Sequence, residues 1–237
     1  MNLFYLPEAS IGIVGLAEDE SKHCIRVMRM QAGAKMHFTN GRGDFFEGVL
    51  IDPNPKKTLV DITSTYKGKD IRPFRVHIAI GPTKNADRLE WFLEKAMEIG
   101  IDEISFFSSF HSERKTVNMD RILKVLVAAM KQSLKSRLPV INDVVRLPQL
   151  IKQNMPGQKF IAWIDPAVNQ LLTHCIQPGA DVTILIGPEG DFSNDEVQLA
   201  TNNGFVPISL GNSRLRTETA GVVACHTIHL VNEIAAQ

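Results

Sequence analysis

The run Ile186-Gly187-Pro188-Glu189-Gly190-Asp191-Phe192-Ser193 decides how the second half of this chain folds. Before it stands Val182-Thr183-Ile184-Leu185-Ile186, an unbroken apolar-rich stretch typical of a parallel strand buried on both faces. After it, Ser193 and Glu196 have the spacing of a capping box, in which each side chain meets the other residue's backbone N–H. A strand therefore leaves the sheet, turns through two glycines and enters a helix. The glycines permit close backbone approach or a positive φ. The loop is neither GxGxxG nor a Walker loop. Glu189 and Asp191 put negative charge where a phosphate cradle would have none. A ligand with hydroxyls, an amine or a cation suits it better. A plain capped strand-to-helix turn reads the same way, so local features alone leave both readings open.

The next loop repeats the plan in Leu210-Gly211-Asn212-Ser213-Arg214-Leu215-Arg216-Thr217-Glu218-Thr219-Ala220. Thr217 or Thr219 is the expected N-cap. Glu218 suits a helix start, whereas Arg214 and Arg216 do not, because a helix N-terminus disfavours cations. A local rule broken without visible gain often marks a functional site. The alternative is that both arginines face water or pair with Glu218.

Working outward, strands and helices alternate over the whole second half. Strands are expected at Phe74–Ile80, Glu103–Phe107, Phe160–Ile164, Val182–Ile186 and Val206–Leu210. Helices are expected at Asp87–Ile99, Met119–Ser136, Ser193–Thr201 and Thr217–Ile234. This is an α/β domain with a mostly parallel sheet, whose ligands bind beyond the carboxyl ends of the strands. The first seventy residues instead alternate with period two, as in Ala34–Thr39 and Thr58–Thr63, around the turns Asn40–Asp44 and Asp52–Pro55. One helix near Glu18–Met30 interrupts them. The polar run Tyr66–Pro73 is the expected boundary. It divides the chain into residues 1–72, a small β-rich sheet or barrel, and residues 73–237, the α/β domain.

Composition bounds the function. The 237 residues hold 26 basic and 26 acidic side chains, so the average is neutral. A basic coat for indiscriminate polyanion binding is excluded. The average hides a cluster, however: residues 114–137 carry seven Lys and Arg against one Asp. On the helix at Met119–Ser136, Arg121, Lys124, Lys131 and Lys135 fall on one arc, with Ile122, Val125, Leu126 and Ala129 opposite. A basic stripe facing outward is expected, with an ordinary solvated face as the alternative. No apolar run is long enough to span a membrane, and the start of the chain lacks the pattern of a secretory signal. Cys24, Cys175 and Cys225 are sparse and odd in number, which reads as buried thiols in a reducing cytoplasm. Cys225, His226 and His229 have the wrong spacing for zinc, and no metal site is expected. Trp91 and Trp163 are expected in the core.

The two loops resemble the C-terminal motifs of the ribosomal RNA small subunit methyltransferase E family, in the SPOUT class. The resemblance runs over nearly the whole chain. His23–Arg29 with Gly33 is similar to an H-x-x-V-L-R pattern, and Lys84 with Asp87-Arg88 to a K-x-x-R segment. Lys95–Ile101 is similar to K-A-T-E-L-G-V. His111–Arg114 and Ala129–Pro139 match further blocks, the latter including Gln132 and Arg137. There are departures. Ser213 stands where the family's first arginine of L-G-x-R-I-L-R-x-E-T-A would be, with Arg214 in the next place. Lys131 replaces a usual Glu and Lys135 a usual Arg, which keeps charge but loses the bidentate fork.

The resemblance implies a trefoil-knotted α/β methyltransferase domain, a PUA-like barrel at the N-terminus and a cytoplasmic homodimer. It implies S-adenosylmethionine as cofactor and N3 of a 16S rRNA uridine in the small ribosomal subunit as acceptor. The cofactor would lie against Ile186, Gly187, Pro188, Glu189, Gly190 and Gly211, with Leu210 and Leu215 walling the adenine. Arg216 would stabilise the uridine anion. RNA would be held by Arg26, Arg29 and Arg42 on the barrel and by Arg114, Lys124, Lys131, Lys135, Arg137 and Arg214 beyond it. Three other readings remain open at this level. They are a related enzyme acting on a ribose 2′-OH or guanine, a non-catalytic RNA-binding assembly factor, and an unrelated nucleotide-binding enzyme.

Overall fold

The computed structural model describes residues 2–69 and 72–236. Two compact units account for them: Met1–Ile71 with Val127–Leu138, and Arg72–Leu126 with Pro139–Gln237. The boundary run Tyr66–Pro73 includes Asp70 and Ile71, which lie outside the described residues. The helix α3, Met119–Gln132, starts in the second unit, and its last residues count with the first.

The first unit is a five-stranded sheet of order β1-β3-β4-β5-β2. Its strands are β1 (Leu3–Tyr5), β2 (Gly12–Gly15), β3 (Lys35–Thr39), β4 (Asp44–Asp52) and β5 (Leu59–Lys67). Only β1 against β3 is parallel. Alternating residues enter one core of Phe4, Met36, Phe38, Phe46, Leu50, Val60 and Ile62. That burial is what the period-two pattern encodes. The helix expected over Glu18–Met30 is shorter. Glu18–Lys22 is α-helical (α1), and His23–Val27 widens into a π-turn that buries Cys24.

The second unit is built on a six-stranded, wholly parallel sheet of order β11-β9-β10-β6-β7-β8. Its strands are β6 (Val76–Ile80), β7 (Glu103–Ser108), β8 (Val140–Arg146), β9 (Gln158–Ala162), β10 (Val182–Ile186) and β11 (Val206–Ile208). Central strands β6 and β10 are buried at every residue, as continuous apolar runs covered on both faces must be. Helices α2 (Ala86–Ile99), α5 (Leu172–Cys175) and α7 (Thr217–Ala235) associate, with α7 laid on β6 and β10. Helices α4 (Leu147–Ile151) and α6 (Asn194–Asn202) pack together around Phe107, Leu185, Phe192 and Val197. The α2–α7 contact is close because position 221 is a glycine: a Cβ there would stand 2.6 Å from Phe92 Cε2.

Several expectations need correction. The long helix stops at Gln132, not Ser136, because Leu134 takes a left-handed φ of 55°. Trp91 is 42% exposed, so it is not core, and Trp163 is only partly buried. Trp91 lies off the apolar arc that buries Leu89, Phe92, Leu93 and Ala96. Cys24 and Cys225 are buried, but Cys175 is half-exposed. Among the described residues, no helix is long and apolar enough to cross a membrane.

Candidate active site

Three adjacent parallel strands, β11, β9 and β10, end side by side at Ile208, Ala162 and Ile186. The loop leaving each one forms a wall of a single cleft of about 970 Å³. The β10 loop supplies Ile186–Asp191, and the β11 loop supplies Ser209–Thr217. The third wall, from Trp163 to Leu171, follows β9 and carries no recognisable motif; sequence reasoning missed it. Apolar side chains Trp163, Ile186, Pro188, Leu210 and Leu215 line the cleft beside backbone amides, carbonyls and the carboxylates of Asp165, Glu189 and Asp191. This mixture suits a flat ring with a polar, partly cationic tail.

The walls are held by specific bonds. Thr217 Oγ1 donates to the Gly187 carbonyl at 3.0 Å, tying the β11 loop to the β10 loop. Asp191 Oδ2 accepts the Ile164 N–H at 3.1 Å, tying the β10 loop to the β9 loop. The Ser209 N–H donates to Gln170 O at 2.8 Å, and the Leu172 N–H donates to Ser209 O at 3.1 Å, which joins the remaining pair. Asp191 adopts φ 58° and also accepts the Phe192 N–H through Oδ1 at 2.8 Å. Burial pushes its carboxyl above the ordinary aspartate range, against the pull of those two N–H groups and of Arg214 and His111.

The expected capping box at Ser193 and Glu196 is present. Glu196 does more than cap: Oε1 accepts the Phe110 N–H at 2.8 Å. The glycines are explained differently from the sequence expectation. Neither Gly187 nor Gly190 has a positive φ. Gly190 is required because a Cβ would stand 2.7 Å from His111 Cβ, a residue 79 positions away. Glu189 lines the cleft, and its Oε1 accepts the Lys84 N–H at 2.8 Å.

The second loop also differs in its cap. Neither Thr217 nor Thr219 is the N-cap of α7. Arg216 occupies that place with no side-chain cap bond, because a guanidinium has no acceptor, and the Thr217 hydroxyl donates to the Gly187 carbonyl. The arginines do not pair with Glu218, which is buried beside Arg88, with Arg88 Nε 3.8 Å from Glu218 Oε1. Arg214 and Arg216 are exposed, line the cleft, and form no ion pair among the described residues. A cation held over an apolar cleft without a partner is poised for an anionic ligand or transition state.

The structure thus brings Ile186–Gly190, Leu210, Gly211, Leu215, Arg214 and Arg216 into one site. The remaining basic residues are not gathered as expected. Arg121 makes a two-point bond to Glu90, at 2.9 and 2.8 Å. Lys131 is only 22% exposed and pairs with Glu20 at 2.6 Å, over the Phe4 ring. Lys135 lies beyond the end of α3. The four-residue stripe is therefore broken, because two members are neutralised and one is off the helix; Lys124 is exposed. Arg114 is held by the Thr116 carbonyl. In the first unit, Arg42 and Arg137 pair through their backbones, and Arg42 donates to Pro7 O at 2.6 Å. Arg26 and Arg29 are exposed. Among the described residues, no group of three His, Cys, Asp or Glu is placed to hold a metal ion.

Comparison with known proteins agrees with this geometry. Residues 70–229 match the model of an RNA methyltransferase domain, and residues 16–63 match an RNA methyltransferase PUA domain. The chain is 31% identical over 183 residues to a ribosomal RNA small subunit methyltransferase E of Mesomycoplasma hyopneumoniae, covering 74% of this chain and 78% of the relative. A solved structure of a probable rRNA-methyltransferase from Porphyromonas gingivalis superimposes with a TM-score of 0.93 at 42% identity, over 99% of this chain and 100% of that one. A structure from Legionella pneumophila, solved with the cofactor SAM bound, superimposes with a TM-score of 0.87 at 26% identity, over 97% and 96% of the two chains.

Proposed function

The chain belongs to the RNA methyltransferase family matched over residues 70–229, and we propose that it methylates N3 of a uridine in 16S rRNA, using S-adenosylmethionine. The observation that carries this is the cleft closed by three loops with an unpaired Arg216 at its rim. Family resemblance supplies the acceptor atom; the cleft supplies the chemistry that fits it. The cofactor, when bound, supplies an electrophilic methyl on a sulfonium. Leu210, Leu215 and Pro188 offer its adenine an apolar slot. Glu189 and Asp191 offer negative charge toward the cationic tail.

Uridine N3 loses a proton to water as the N3–methyl bond forms, and the negative charge spreads over O2 and O4. Arg216, which lines the cleft, is the guanidinium assigned to stabilise that charge. A preorganised donor of this kind is worth roughly 10²–10³ in turnover. The same reading carries a cytoplasmic homodimer with a trefoil knot, the first unit positioning RNA through Arg26, Arg29 and Arg42, and the small ribosomal subunit as partner.

Arg216→Ala tests the assignment. Single-turnover methylation should fall about a hundredfold or more while SAM affinity by calorimetry stays within about twofold. Near-normal turnover in that variant would remove Arg216 from the mechanism.

A further inference from the structure

On the far side of Arg216 lies a second recess of about 370 Å³. Asp87, Arg88 and Trp91 of α2 line it, with Arg216, Glu218 and Thr219 at the start of α7. It is the right scale for one small flat ligand. Arg216 is common to this recess and the large cleft, so whatever enters here meets the cleft's contents at that guanidinium. Trp91 presents an exposed indole, unusual for so large an apolar side chain. Glu218 is 7% exposed, yet its Oε2 has no hydrogen-bond partner among the described residues. Its Oε1 has only the distant Arg88 contact of 3.8 Å. A buried, half-satisfied carboxylate is unfavourable in a structure that merely packs, and it points to a group that arrives later.

We propose that this recess seats the acceptor base, an inference that rests on the methyltransferase reading above. Trp91 provides the stacking plane. The reacting edge of uracil reads O4, N3, O2, with an acceptor on either side of the nitrogen. Arg88 and Arg216 donate to those two carbonyls, leave N3 open between them toward the large cleft, and share the charge once the proton has gone. Cytosine carries an amino group in place of O4, so a donor would face a guanidinium. Arg88 thereby sets specificity. Glu218 is a positioning residue that holds Arg88.

The test uses the full chain, SAM and small ribosomal subunits from a strain deleted for its own N3-uridine methyltransferase. Single-turnover kcat/KM, SAM affinity and sedimentation mass are measured for Trp91→Ala, Trp91→Phe, Arg88→Gln, Glu218→Gln and the Arg88→Gln/Glu218→Gln double variant. Trp91→Ala should lower kcat/KM roughly tenfold to a hundredfold, the range of one lost base stack, and Trp91→Phe should recover most of it. Arg88→Gln should lose a comparable factor. The double variant should be no slower than Arg88→Gln alone, because Glu218 acts through Arg88. SAM affinity and mass should not change. Wild-type kinetics in Trp91→Ala and Arg88→Gln overturn the proposal, as does a loss explained by weaker SAM binding or an altered mass. If the wild-type chain transfers no methyl, the methyltransferase reading itself fails and this one with it.

Discussion

Replacing Thr217 by Val removes one hydroxyl from a side chain that is only 5% exposed, with little change in shape. That hydroxyl is the 3.0 Å link from α7 to the Gly187 carbonyl. Losing the bond forfeits a net stabilisation of about 0.5–1.5 kcal/mol, and an unmet, partly buried carbonyl raises the total to at most about 3 kcal/mol. The link joins two of the three cleft walls, so part of that energy should appear in cofactor binding. If the whole amount did, SAM affinity would fall by at most about 150-fold. Urea denaturation measured with and without SAM separates the two shares, and calorimetry gives the affinity directly. Thr217→Ser keeps the hydroxyl and should behave nearly as wild type. The reasoning is refuted if Thr217→Val retains wild-type stability and SAM affinity, or if Thr217→Ser is as damaging as Val.

Two other predictions follow from partly buried charges. Lys131→Met should cost about 1–3 kcal/mol in urea denaturation, because it strips Glu20 of its 2.6 Å partner while both side chains are about one-fifth exposed; an unchanged midpoint would mean that solvent, not Lys131, satisfies Glu20. Asp191 has a folded-state pKa raised by burial, so the native state binds its proton more tightly than the unfolded chain. Stability should therefore decline as pH rises from about 4 through the raised value and then level off. Asp191→Asn should abolish that part of the slope, and an identical pH profile in the variant would contradict the assignment.

How far the sequence foretells this site depends on where the determining contacts lie. Strand β10 and its capped helix are legible because every determinant sits within fifteen residues: the apolar run, the loop and the Ser193–Glu196 box. The start of α7 at Thr217 is legible for the same reason, although its cap is not, since the Thr217 hydroxyl is claimed by Gly187, 30 residues away. Gly190 looks like a ligand-facing glycine but answers to His111. The basic stripe fails because helical spacing places Lys131 on the surface arc but cannot see Glu20. The third cleft wall has no motif, since Trp163–Leu171 is held through backbone bonds that any residue can make. Strand β8 is similarly hidden, because it is a sheet-edge strand with no buried residue. Trp91 was recoverable: it lies off the apolar arc of its own helix.

The most direct measurement is made on nucleosides. Small ribosomal subunits from a strain lacking its own N3-uridine methyltransferase are incubated with the protein and isotopically methyl-labelled SAM, the 16S rRNA is digested, and the nucleosides are resolved by mass spectrometry. The account predicts label in N3-methyluridine, and about a hundredfold less, or lower still, when Arg216→Ala protein is used for the same time. Label in a 2′-O-methyl nucleoside or in methylguanosine, or no transferred label at all, would contradict it.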